Sequence, residues 1–170
     1  MTTLALDRPR IATAAIDALL CVVVVAVPAL SHVAAYPLYY FDPMRLLLFA
    51  AVLFTSRRNA LLMAVWLPLL SMSTSGHPAF PKFLLIQGEL VLNAAMFYSL
   101  YGRTNRFVLG AAVSVLASKA AYYAAKFFLI ELALMDGDLI ATSWPYQFAT
   151  LLFILAGGGL VCTARGKVRT

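Results

Sequence analysis

The sequence predicts an all-α integral membrane protein with six transmembrane helices and cytoplasmic N- and C-termini. Composition, a series of apolar runs separated by helix breakers, and the segregation of basic residues carry this reading. Of the 170 residues, 63% are hydrophobic and 12% charged, against about 25% charged in ordinary soluble domains. The length suits one domain, and residues 1–170 show no internal repeat or linker.

The first helix is expected over residues 11–31. Arg8 and Arg10 followed by an apolar run resemble a secretory signal, but the run to Leu30 exceeds the usual signal core of about 7–15 residues and matches a membrane span. Pro28 and the Ser31-His32 turn end it, and the aromatic segment from Val33 to Phe41 reads as an interfacial loop. Asp42-Pro43 supplies an N-cap and a first-turn proline for a second helix, 43–56. Arg57-Arg58-Asn59 is a tight turn, and a third helix, 60–73, carries a kinking Pro68. These two helices are short for a membrane core of about 30 Å.

A Gly/Pro loop from Ser75 to Pro81 turns into the fourth helix, 82–101, which ends at Gly102. The fifth runs over 107–135 and is closed by Asp136-Gly137-Asp138. The sixth spans 145–164, before a basic tail.

The charges set the orientation. Arg8, Arg10, Arg57, Arg58, Arg103, Arg106, Arg165, Lys167 and Arg169 fall at one set of helix ends, and the opposite segments 31–44, 72–81 and 127–164 hold no Lys or Arg. The positive-inside rule makes the first set cytoplasmic. Topology therefore accounts for the net charge of +6, and nothing in it calls for a nucleic-acid partner. Cys21 and Cys162 read as packing residues rather than a disulfide or metal pair. With no metal-ligand spacing and no nucleophile beside a base, an enzyme is not expected, nor is a metal or cofactor.

The polar residues left inside the spans are the candidate site. Glu89 and Asn93 lie one turn apart in the fourth helix, Glu89 about 10 Å below Lys82. Lys119 and Lys126 bracket that depth on the fifth helix, with Tyr122 and Tyr123 between them on one stripe. A charge within a span is costly and points to a site. Glu89 paired with Lys119 or Lys126 could equally be a structural strut. A cavity open to the outside is the functional reading, with Glu89, Asn93, Lys119, Tyr123, Lys126, His77, Lys82 and Trp144 as its walls. Arg45 and Lys82, at helix starts, can simply snorkel. Asp17 and Glu131 read as structural. Setting Arg45, Lys82, Lys119 and Lys126 against Asp42, Glu89 and Glu131 leaves a small positive excess, which favours a ligand with a carboxylate. Ala14 and Ala18 on the first helix, and Gly157-Gly158-Gly159 on the sixth, allow close helix approach, either to a partner or within the fold.

Six helices in this length, the Pro81-Lys82 loop leading into Gln87-Gly88-Glu89 and Asn93, and Ala14-x-x-x-Ala18 together resemble the substrate-binding S-components of energy-coupling factor (ECF) transporters. The resemblance implies a multi-pass protein of the bacterial cytoplasmic membrane that binds a vitamin or related micronutrient from outside. It further implies docking through Ala14 and Ala18 onto a transmembrane T subunit served by two ATPase subunits, and delivery by toppling in the bilayer. The absence of a Walker loop from this chain agrees with a subunit that does not hydrolyse ATP. The alternative is a non-transport scaffold of cell-envelope assembly, similar to a rod-shape determinant, with no ligand cavity.

Overall fold

The computed structural model describes residues 10–33, 38–76, 78, 80–140 and 142–168. Six α-helices account for most of them: α1 (Arg10–Val33), α2 (Pro43–Phe54), α3 (Arg57–Ser75), α4 (Lys82–Thr104), α5 (Phe107–Glu131) and α6 (Trp144–Val168). A 3-10 turn, Leu38–Phe41, precedes α2, and no strand occurs among the described residues. Among those residues, α4, α5 and the 144–164 part of α6 are long and apolar enough to cross a membrane. His77 lies outside the described residues.

The helix ends differ from expectation for local reasons. α1 continues through the Ser31-His32 pair to Val33, because Pro28 in an apolar run does not by itself stop a helix. Arg57-Arg58-Asn59 is the first turn of α3 rather than a tight turn: Ser56 accepts a hydrogen bond from the Asn59 N–H at 3.2 Å and so caps the helix one turn early. α4 passes through Gly102 and stops at Asn105, which takes the left-handed conformation (φ 54°). α5 ends at Glu131, short of Met135. There the Leu134 N–H reaches the Leu129 carbonyl at 2.9 Å and the Ala133 N–H reaches the Ile130 carbonyl at 2.9 Å. With Ala133 at φ 54°, this is a Schellman closure built without glycine. The basic tail is helical as far as Val168.

α2 has only 12 residues, about 18 Å of helix, yet it lies at the centre and touches α1, α3, α4 and α6. Its Arg45, Leu48, Phe49, Ala51, Val52 and Leu53 are all buried. A short helix enclosed by longer ones need not match a bilayer by its own length. Toward the end where α2 finishes and α5 begins, Phe49, Phe97 and Phe107 meet edge-on, with ring centroids 5.4–6.3 Å apart. Gly158 of α6 lies against this cluster; a Cβ there would be 2.1 Å from Phe107. That glycine serves packing within the fold. The aromatic core occupies the end rich in arginine, and the other end of α2 carries charge.

Candidate functional site

Four charged side chains from three parts of the chain meet at the start of α2. Arg45, in the first turn of the helix, is 3% exposed, and its guanidinium donates to Glu89 Oε1 of α4. Asp42 Oδ2 lies 3.4 Å from Arg45 Nε and 3.4 Å from Lys119 Nζ of α5. Lys119 Nζ is also 3.4 Å from Glu89 Oε1. The cluster thus closes on itself, with two cations alternating with two carboxylates.

The residues reach these places by helix geometry. Arg45 sits three residues after Asp42, so both point to one side at the helix start. Asp42 holds the N-cap position, but it is left-handed (φ 49°) and its side chain makes no capping hydrogen bond. The expected cap is therefore replaced by a carboxylate committed to the two cations. Burial draws the Asp42 carboxyl upward, but Arg45 and Lys119 outweigh it and hold the group below the ordinary carboxylate range. Arg45 does not snorkel, as its place at a helix start suggested. It lies within the fold, where Glu89 and Asp42 offset the cost of its burial.

The cluster has an inner and an outer edge. Both side chains of the Arg45–Glu89 pair are 4% exposed, whereas those of Lys119 and Asp42 are 21% and 29% exposed. At this outer edge the Lys119 ammonium faces the rings of Tyr122 and Tyr123, 5.4 and 5.9 Å from their centroids. Tyr40 and Phe41, just before Asp42, each pack on Tyr146 of α6 at 5.3 Å. A donor and an acceptor stand side by side here, next to aromatic surface. That is a chemistry for orienting a small polar molecule.

The other candidate residues fall elsewhere. Asn93 is fully buried one turn from Glu89, with Ser114 Oγ 3.2 Å from its Oδ1; its Nδ2 has no hydrogen-bond partner among the described residues. Tyr123 extends outward to Gln147 Oε1 at 3.0 Å. Lys126 is not paired with Glu89. It is 2% exposed and donates to the backbone carbonyls of Asp138 and Leu139. Trp144 is exposed and leans on Phe148, 6.1 Å between centroids. Asp42 and Arg45 are the members that sequence reasoning read otherwise, as a cap and a snorkelling cation. Their spacing of three, acid before base at a helix start, was the available signal.

Away from this cluster, a concavity of about 330 Å³ lies between α1 and α3, lined by Asp17, Cys21, Asn59, Leu62, Met63 and Trp66. Asp17 accepts from the Asn59 side-chain amide there, which agrees with a structural role for Asp17. Ala14 and Ala18 are exposed on α1. Among the described residues no group of His, Cys, Asp and Glu could hold a metal ion. No known protein family, curated protein or solved structure matches the chain.

Proposed function

We propose that this chain is the substrate-binding membrane subunit of an ECF-type uptake transporter. In this reading it crosses a bacterial cytoplasmic membrane six times with both termini inside. It captures a vitamin or related micronutrient from the outside and topples against a T subunit driven by two ATPase subunits, docking through Ala14 and Ala18. The observation that supports it most is the cluster of Asp42, Arg45, Glu89 and Lys119, set beside Tyr122 and Tyr123 with its less buried edge formed by Lys119 and Asp42. One structural ion pair needs neither the second pair nor the aromatic surround. Because the two cations are each matched by a carboxylate and Lys126 is engaged with carbonyls, the argument from excess positive charge for an acidic ligand no longer holds. The ligand need only offer an acceptor to Lys119 and a donor to Asp42.

A second reading, a scaffold of envelope assembly similar to a rod-shape determinant, draws on the same neutrality. A self-compensated cluster is what a helix-pinning strut requires. Mass spectrometry of the protein purified under mild conditions separates the two. The transport reading expects a small molecule held in stoichiometric amount, and Glu89→Gln and Lys119→Met lowering its retention about tenfold or more, the effect of one lost charge-assisted hydrogen bond. In the same preparation Ala14→Trp should keep the molecule and lose the partner subunits. Full retention in both cluster variants would sink the pocket assignment, and an empty protein would favour the scaffold.

A further inference from the structure

Asp17 stands in the apolar run of α1 with only one of its carboxylate oxygens engaged. Oδ2 accepts from the Asn59 side-chain amide. That amide is held in turn by the Ser56 hydroxyl, which donates to its Oδ1 at 3.1 Å. Oδ1 of Asp17 is buried and has no hydrogen-bond partner among the described residues. The Cys21 thiol, one turn further along α1, donates to Met63 Sδ at 3.9 Å and does not serve it. The ion pairs among the described residues all gather at Asp42, Arg45, Glu89 and Lys119, and none includes Asp17. A strut between α1 and α3 needs one donor and one acceptor, which a neutral amide provides without burying a charge. A carboxylate in an apolar helix with an idle oxygen is costly and leaves a partner missing.

The same carboxylate lines the concavity of about 330 Å³ between α1 and α3, near the small end of the roughly 300–1,000 Å³ that ligand pockets occupy. Helix geometry builds it. Asp17 and Cys21 are four apart on α1, and Asn59, Met63, Trp66 and Leu70 follow at four, three and four on α3, so each set keeps to one face. Asp17 and Asn59 form one polar end. From Asn59 the apolar lining of α3 extends about 16 Å to Leu70. Leu62 and Trp66 are 47% and 50% exposed, so the concavity is open to its surroundings. Among the described residues no lysine or arginine lines it.

We propose that this concavity is a binding site for an amphiphilic organic cation, a primary ammonium on an apolar body, with Asp17 as its counter-ion. An ammonium brings both things that Asp17 lacks, a positive charge and a donor for the idle oxygen. The apolar body lies along Leu62, Met63, Trp66 and Leu70, and Asn59, fixed by Ser56, holds the carboxylate in place. An anion is repelled here, because the lining offers it no cation. A neutral apolar guest fills the space but leaves the oxygen without a donor. The site is separate from the charge cluster, where each cation already has its carboxylate, and it does not rest on the transport reading.

The test compares 4-phenylbutylamine with its neutral counterpart 4-phenylbutanol. The chain has two tryptophans, so Trp144→Phe leaves Trp66, within the site, as the only indole. With this parent in phosphatidylcholine nanodiscs, the amine should change Trp66 emission saturably, and the alcohol should require about tenfold more, the worth of one charge-assisted hydrogen bond. Asp17→Asn keeps an acceptor for Asn59 but removes the charge. It should weaken the amine about tenfold and leave the alcohol unchanged, whereas Asp17→Glu should keep the preference for the amine. Equal titration by the two compounds in the parent, a comparison that needs no variant at position 17, would overturn the site. So would a signal that rises without saturating, the mark of partition into the bilayer. A preference that survives Asp17→Asn and disappears in Glu89→Gln would move the amine to the charge cluster. Exchanging the lipid for phosphatidylethanolamine should change nothing. A tenfold weakening on that exchange, seen only with Asp17 intact, would make a lipid headgroup the occupant instead.

Discussion

Among the described residues, Arg45 and Glu89 form the most deeply buried ion pair, with both side chains 4% exposed. In such surroundings the pair gains little net stability over apolar side chains of the same size, but stranding one member costs about 3–5 kcal/mol. Arg45→Met and Glu89→Leu should therefore each destabilise the fold by roughly that amount. The double variant should lose much less than their sum, since Lys119 and Asp42 then remain as a balanced pair. Unfolding of the four proteins in a graded denaturant measures the coupling, and simple additivity would show that the two side chains do not act together. Asp42 adds the smaller, exchangeable share. It gives up a capping bond, accepts a left-handed backbone and lies at the more exposed edge, where a ligand could replace it on Lys119 at modest cost.

At the scale of elements, the packing of α6 depends on one missing methyl group. Gly158 brings the helix so close to Phe107 that an added Cβ would stand 2.1 Å from the ring, a distance no real contact shows. Gly158→Ala must push α6 away from α5 or turn Phe107 out of the aromatic core. Overpacking of this kind costs about 1–3 kcal/mol. Shortening the obstacle with Phe107→Leu should recover part of the loss in the double variant, as read from the thermal midpoint. A double variant no better than Gly158→Ala alone would place the strain elsewhere. α2 shows the complementary case. It is too short to cross a membrane by its own length, and α1, α3, α4 and α6 pack around it.

Across the whole molecule, two kinds of chemistry occupy opposite ends. Arg57, Arg58, Arg103 and Arg106 are exposed at one end, where the Arg57 guanidinium rests 5.6 Å over the Tyr98 ring. The charge cluster and the Lys126 tie lie toward the other. In the bilayer orientation proposed above, a cysteine introduced at Gly102 of otherwise cysteine-free protein should resist an impermeant maleimide in intact cells and react once the membrane is opened. A cysteine at Asp136 should react in both. The reverse pattern would invert the topology and with it the outward-facing site.

The sequence by itself determined the helices, and it did so through local causes. Long apolar runs have no better solution in an apolar setting than a helix that satisfies its own backbone, and Pro43 marks a helix start by its backbone preference, whereas the ends at Gly76 and Asn105 fall beyond the Ser73 and Gly102 that the sequence suggests. It also singled out Glu89, Lys119 and Lys126, because a charge in an apolar run is conspicuous without any knowledge of its partner. What only the tertiary structure decided is which charges meet. Glu89 lies 44 residues from Arg45 and Lys119 lies 77 from Asp42, and nothing local to either residue encodes such a pairing. It follows from α2 being placed at the centre, which turns Arg45 inward to Glu89, and from α5 presenting Lys126 too far along its length to reach that carboxylate. Periodicity sets how a helix forms and which side chains share a face. The partner that face meets is set by how six helices exclude one another from the same volume.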